Sequence, residues 1–426
     1  MRPYPATVDR VASGEWLTRK FVTHGALAGA AVGVGMLLFL YLTAHGTVDA
    51  YGRALGTDFS VFWNAGHLAN SGRAVDAWDV DKFNAAAYAT HGAQVPASAW
   101  LYPPVFLFVA CTLALLPYVA ALISWQLGSL ALAGMALAAV LKDRRAALAA
   151  LATPLTPLLL AHGQNAFLTA SLLGLGLVLL DRKPALAGSC FGLLVYKPQL
   201  ALMIGPMLLL GRHWRAIASA VIVALTLVAA STLIWGVESW QAFLATLPHS
   251  RQYMESGITD FYRSASLFAA ARRWGASVPL SYAVQALGFV AALLIIFATR
   301  KSTANLRNAA VCVAATLSTP YLLDYDMAIA GFGAAFLYAE GVRSGFRSYE
   351  KSILAFVWIA PWFARPASLN LWLPLGATAT VLLAALIARR AWSGHRHPAV
   401  DVQGLAGDVA GFAAGEIDAR RANILA

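Results

Sequence analysis

Only 12% of the 426 residues carry a charge, too few to coat a soluble domain of this length. Cysteine is scarce too. Cys111, Cys190 and Cys312 all lie inside apolar stretches, which excludes a disulfide framework and gives no metal-ligand spacing; they read as core packing residues. Short segments alternating apolar with polar residues are missing, which excludes a β-barrel. No nucleotide-binding loop is present.

The chain has hydrophobic residues in their place, 59% of the total, in continuous Leu/Ala-rich runs that suit a hydrocarbon layer spanned by roughly 20 helical residues. The formal charge of +11 would suggest a nucleic-acid partner in a soluble protein, but here the basic residues fall in short links between apolar runs. Lys142, Arg144 and Arg145 form one such link, Arg182 and Lys183 another. Arg212 and Arg215, then Arg300, Lys301 and Arg307, Arg343, Arg347 and Lys351, and Arg389, Arg390 and Arg396 form the rest. This is the positive-inside pattern, and it assigns these links to the cytoplasm and excludes a nucleic-acid function.

The fold class is therefore an all-α integral membrane protein with about 10 to 13 spans. Residues 1–20 form a cytoplasmic N-terminus, and the run from Phe21 to Ala44 is a retained first span, too long for a signal sequence. It delivers residues 45–101 to the extracytoplasmic side. Apolar segments then recur at about 103–117, 118–141, 146–161, 165–181, 185–196, 199–211, 216–235, 281–299, 308–322, 327–341, 352–364 and 371–388. If 103–117 and 118–141 both crossed, Lys142 would lie outside, so this pair is ambiguous. The pair around Lys197-Pro198 reads as a hairpin with its tip outward. A second polar stretch, 236–280, reads as an outer loop, and the membrane domain, 21–390, is followed by a disordered cytoplasmic tail over 391–426.

Transporters keep charges deep in their spans, whereas these interiors are nearly uncharged apart from Lys197, Asp324 and Asp326. Three short motifs hold the other polar chemistry. In Gly56-Thr57-Asp58-Phe59-Ser60-Val61-Phe62-Trp63, an aspartate sits among aromatics just past the first span. Local spacing favours Asp58 as the N-cap of a helix over 59–69, and the competing reading is a partly desolvated proton acceptor. Tyr102-Pro103-Pro104 reads as a helix start, and His162-Gly163-Gln164-Asn165 either caps a helix or binds a sugar hydroxyl. Asp76, Asp79 and Asp81, interrupted by Trp78, read as solvated or capping residues and not as a metal site. Trp63, Trp78, Tyr102, Trp235, Trp240, Tyr253 and Tyr262 suit an interfacial belt.

An Asp after the first span, a Tyr-Pro-Pro step, a Gly-Gln-Asn step, and Lys197-Pro198 following Ala187-Gly188 and Gly192 occur here in one order. That order resembles glycosyltransferase family 87, the polyprenol-phosphate-sugar-dependent mannosyltransferases of the GT-C superfamily, across about residues 20–390. The run Ser318-Thr319-Pro320-Tyr321-Leu322-Leu323-Asp324-Tyr325-Asp326 departs from the aromatic and histidine-rich step of actinobacterial relatives, so their acceptor recognition is not carried over.

The resemblance implies a multi-span GT-C-type helical bundle in the plasma (inner) membrane, whose extracytoplasmic loops form the active site. Its partners would be a polyprenyl-phosphate-linked sugar, mannose by family default, and a lipid or glycan acceptor. Asp58 matches the family's catalytic aspartate and would act as general base in an inverting transfer; no cofactor is expected, and the residues lead to no metal proposal, with Asp324 and Asp326 as the one pair that keeps a metal open. The leaving phosphate needs fixed positive charge; Lys197, Arg263 and Arg251 are the first candidates, with Arg272 and Arg273 also on the outer side. Tyr102, Gln164, Asn165 and Trp63 are the expected sugar or acceptor contacts. A transporter or flippase of lipid-linked sugars, or a non-catalytic component of an envelope-polysaccharide complex, is the alternative. The charge pattern also predicts orientation. A cysteine introduced at Gly404 should stay unreactive toward an impermeant thiol reagent in intact cells, and labelling there would overturn the topology.

Overall fold

Inside hydrocarbon every backbone N–H and C=O must find its partner within the chain, which leaves helices as the solution for runs of this kind. The computed structural model, which describes residues 5–93, 95–258 and 260–394, contains helices and a few isolated bridges among the described residues. Six helices are long and apolar enough to cross a membrane, and the protein is a multi-pass membrane protein. The tail expected over 391–426 lies, from residue 395 on, outside the described residues.

The chain runs back and forth between two ends. At the first, a short helix α1 (Pro5–Ser13) precedes α2 (Arg19–Leu42), which opens on Thr18, whose side chain accepts from Phe21 N. At the opposite end a cap is built from α3 (Thr57–Asn70) and α4 (Val80–His91), the latter N-capped by Asp79. The ambiguous segment at 103–117 is resolved here. It forms only a 3-10 turn, Pro104–Phe106, and a seven-residue helix α5 (Leu107–Leu113) lying on α3. The crossing is made by α6 (Tyr118–Leu141), whose first residue donates its hydroxyl to Leu55 O in the cap. Lys142, Arg144 and Arg145 thus fall at the end away from α3.

Two short helices, α7 (Arg144–Leu151) and α8 (Leu155–His162), return the chain to the cap, and α9 (Ala166–Leu179) leaves it again. Further half-length pieces, α10 (Pro184–Gly192), α11 (Pro198–Ala201) and α12 (Ile204–Leu210), meet at Lys197. Next comes α13 (Trp214–Ser256), bent at Gly236 where φ is 79° and ψ is 161°. The expected loop over 236–280 is thus largely helical. Beyond the bend Trp240 and Phe243 sit one turn apart and pack on the core, so the polar residues there line the other side of a helix. The stretch ends in a 3-10 turn, Phe261–Arg263, and α14 (Leu267–Arg273). The remaining traverses are α15 (Val278–Thr299), α16 (Ala304–Leu317), α17 (Met327–Ser344), α18 (Glu350–Leu371) and α19 (Leu375–Gly394).

The basic links converge at the α1 end. Arg390 donates to both carboxylate oxygens of Glu350, a pair almost wholly buried, and Arg307 donates to Asp181 at 2.9 Å. Tyr349 N–H meets Ala12 O there at 2.6 Å, which ties α1 to the start of α18. In lipid, helices associate through close packing of small residues. A Cβ on Gly188 would stand 2.2 Å from Ala216 O, and one on Gly192 would stand 2.6 Å from Ala220 O, so two glycines four apart seat α10 against α13. Gly188→Leu should lower the thermal stability of the detergent-solubilised protein by about 1–3 kcal/mol, the usual cost of overpacking. An unchanged melting temperature would show that the seam is not held by close approach.

Candidate active site

The site is built where the chain returns to the cap. Helix α3 starts after Gly56, so Asp58 lies within its first turn and makes no cap hydrogen bond. This corrects the capping reading: the helix covers 57–70 and not 59–69, which moves Asp58 inside it. Helix α8 ends on Gly163 at φ +60°, where a Cβ would meet Phe59 Cβ at 2.6 Å. The close turn brings Gln164 over the start of α3. Gln164 Oε1 accepts from Asn165 N at 2.7 Å, which fixes the amide so that Nε2 donates to Asp58 Oδ2 at 3.0 Å. Asp58 is half-buried, and its Oδ1 has no hydrogen-bond partner among the described residues.

His162, one residue earlier, joins the same turn to α18. Its Nδ1 lies 2.6 Å from Thr57 Oγ1 and its Nε2 lies 3.4 Å from Arg365 Nη2. A guanidinium has only donors, so Nε2 must accept, which leaves the proton on Nδ1 to be donated to Thr57. Arg365 also donates from Nε and Nη2 to the two carboxylate oxygens of Asp324. The charges of Asp58, Arg365, Asp324 and Arg263 all act on the His162 ring.

The other motifs close the site from the opposite wall. Trp78 donates to Tyr102 O, the Tyr102 ring stacks on Phe106 at 4.7 Å, and Phe106 stacks on Tyr196 at 4.8 Å. Tyr196 leads directly to Lys197, whose ammonium donates to Asp326 Oδ1 at 2.8 Å. The four motifs, scattered from residue 56 to residue 198, therefore converge on one volume together with the turn Asp324-Tyr325-Asp326. Tyr102 and Tyr325 both feel the charges of Asp58 and Asp326. The turn is pinned by Ala265 N donating to Leu322 O at 2.8 Å, which places Tyr262 and Arg263 beside Asp324.

Among the expected contacts, Asp58, Tyr102, Gln164 and Asn165 come together. The Asn165 amide is fully buried beside the Tyr102 hydroxyl, with neither atom in a well-formed hydrogen bond among the described residues. Trp63 does not join them: it donates to Leu116 O and stacks on His67, holding α3 to the turn before α6. Lys197 arrives, but only 6% exposed and committed to Asp326. The expectation of an ammonium free to hold a ligand phosphate thus meets a different arrangement, because a charge this deep must be paired.

Arg251 also stands apart. It is exposed and paired with Glu255 at 2.7 Å. Arg263 reaches the site with one distant pair, Asp260 at 3.7 Å, and a buried Nε without a hydrogen bond. Arg272 is spent on Ala276 O, and Arg273 on Ser368 O and Leu369 O. Asp76 pairs with Arg73 and Lys82, and Asp79 caps α4, in keeping with solvated and capping roles. Among the described residues no three His, Cys, Asp or Glu side chains group as metal ligands.

Sequence reasoning passed over Arg365. A signal was there: it is the only charged residue between Ile353 and Leu371, and an ionisable group inside an apolar helix marks a site by default.

Glycosyltransferase family 87 is the family whose model matches the chain, over residues 100–322. The match takes in Tyr102, Gln164, Asn165 and Lys197 and leaves Asp58, the 324–326 turn and Arg365 outside. No curated protein and no solved structure matches.

The buried pair yields a stability prediction. Lys197→Met should cost about 3–5 kcal/mol because it strands the Asp326 carboxylate. Lys197→Met/Asp326→Asn, which removes both charges and keeps an acceptor for Leu323 N, should recover most of that in a thermal melt. Equal losses in both variants would show that the pair's charge is not what matters.

Proposed function

The chain belongs to glycosyltransferase family 87, and on that footing we propose that it moves a sugar, mannose by family default, from polyprenyl phosphate to an extracytoplasmic lipid or glycan hydroxyl. Membership of the family makes it a membrane glycosyltransferase. The observation that carries the finer reading is the Asp58 carboxylate, one oxygen held by Gln164 and the other open, at the point where four sequence motifs meet.

In this reading the acceptor hydroxyl lies on Asp58 Oδ1. Its oxygen attacks the anomeric carbon from the face opposite the phosphate, the C–O bond to phosphate breaks, and the anomeric configuration inverts. The hydroxyl proton passes to Asp58 as the new bond forms. The leaving phosphate needs no general acid. Gln164 fixes the carboxylate's direction, and the buried amide of Asn165 stands behind it against Tyr102, whose hydroxyl is the group offered to a sugar. A metal or cofactor has no part in the proposal. The site's position away from the basic links supports placing it on the extracytoplasmic face of the inner membrane. Nothing in the geometry specifically favours a transporter or flippase: the deep charges are locked in pairs and form no relay.

The test uses purified protein in nanodiscs with a panel of radiolabelled polyprenyl-phosphate sugars and a membrane lipid extract. The wild type should transfer label. Asp58→Asn keeps shape and the Gln164 contact but cannot take a proton, so it should fold and retain donor binding while turnover falls by about 100- to 10,000-fold. Near-wild-type transfer by the Asn variant would remove Asp58 from the chemistry.

A further inference from the structure

A phosphate leaving within a region of low dielectric needs a cation with donors to spare. Lys197 has a carboxylate already in contact, Arg251 is paired on the exposed side of α13, and Arg272 and Arg273 serve backbone carbonyls. Arg365 differs from all of these. One edge of its guanidinium is gripped by Asp324, Nη2 also reaches His162, and Nη1 has no hydrogen-bond partner among the described residues. The side chain is 28% exposed, so it is neither sealed in nor loose in solvent. We infer that Arg365 is the phosphate anchor of the site, presented by Asp324 as a positioning residue. This inference rests on the polyprenyl-phosphate donor reading.

Three features converge on this assignment. A guanidinium held along one edge keeps its other donors aimed, which suits a phosphate's paired oxygens better than a free-swinging side chain does. A small cleft lies beside its partner Asp324, lined by the polar Tyr262, Ser264 and Asp324 and the apolar Val357, Ala360 and Met327, a mixture that suits an anionic head on an apolar chain. The charge of Asp58 acts on Arg365, and Arg263 brings a second cation to the same His162 ring with its buried Nε unpartnered. Base and anchor thus stand near one another on either side of the α8–α9 turn.

The deciding experiment compares binding of polyprenyl phosphate and of uncharged polyprenol to the full-length protein in nanodiscs. Arg365→Gln should weaken polyprenyl phosphate binding by about 10- to 100-fold, the range expected for one lost charge-assisted hydrogen bond, and leave polyprenol binding unchanged. If stranding Asp324 prevents folding, Asp324→Asn/Arg365→Gln removes both charges and should show the same selective loss. Wild-type-like phosphate binding by the Arg365 variants, or equal loss for both lipids, overturns the anchor while leaving the donor reading intact. A wild type that binds polyprenyl phosphate no better than polyprenol overturns both.

Discussion

The site depends on one short turn. Asp324 and Asp326 stand two residues apart, and each takes a cation from a different part of the chain: Arg365 from α18 and Lys197 from the junction just before α11. In a protein with so few charges, neither carboxylate could be left alone at this depth, nor could either cation. The pairing therefore does more than neutralise. It fixes where α18 and the Lys197 junction stand relative to α17, and with them the wall facing Asp58. Tyr325, between the two carboxylates, is carried into the same volume.

Around this turn the membrane domain divides its labour. The long helices α2 and α13 bury few residues along their apolar windows and face surroundings that match them. The short pieces, α7 with α8 and α10 with α11 and α12, bring chain ends to mid-structure, where loops and turns are allowed only because other protein surrounds them. His162, Gln164 and Lys197 all come from such breaks. An uninterrupted span would have buried these side chains against lipid. The half-length construction is thus what lets irregular backbone, and the polar groups it carries, exist at this depth.

Much of this was legible in the residues, and the reasons for the rest are specific. The six long helices follow from apolar run length, and α6 and α15 begin and end within a few residues of expectation. The short helices were harder, since a run of 7 to 14 residues satisfies neither a spanning rule nor a loop rule. The stretch beyond Gly236 looked like a loop because its composition is polar, yet Trp240 and Phe243 give it a buried face. Asp58 and Gln164, which the fold brings into contact, were singled out because their motifs keep a fixed order. The partner of Lys197 was not, because it lies 129 residues away and no local pattern signals such a pairing. Trp63 has the right chemistry but points toward the α5–α6 turn, a matter of rotation about the α3 axis that spacing alone did not fix.

The gathered charges also set an electrical condition on any reaction carried out here. Three carboxylates, Asp58, Asp324 and Asp326, stand with three cations, Lys197, Arg263 and Arg365, so the resting volume is close to neutral. In the proposed transfer the donor's phosphodiester enters with one negative charge and leaves as a monoester with up to two. The proton taken by Asp58 appears in the same step and offsets the second. The enclosed volume then holds constant charge through bond making and breaking, and its field need not reorganise while the barrier is crossed. The imbalance is deferred to product departure, when the phosphate carries its second charge away and Asp58 must give up its proton.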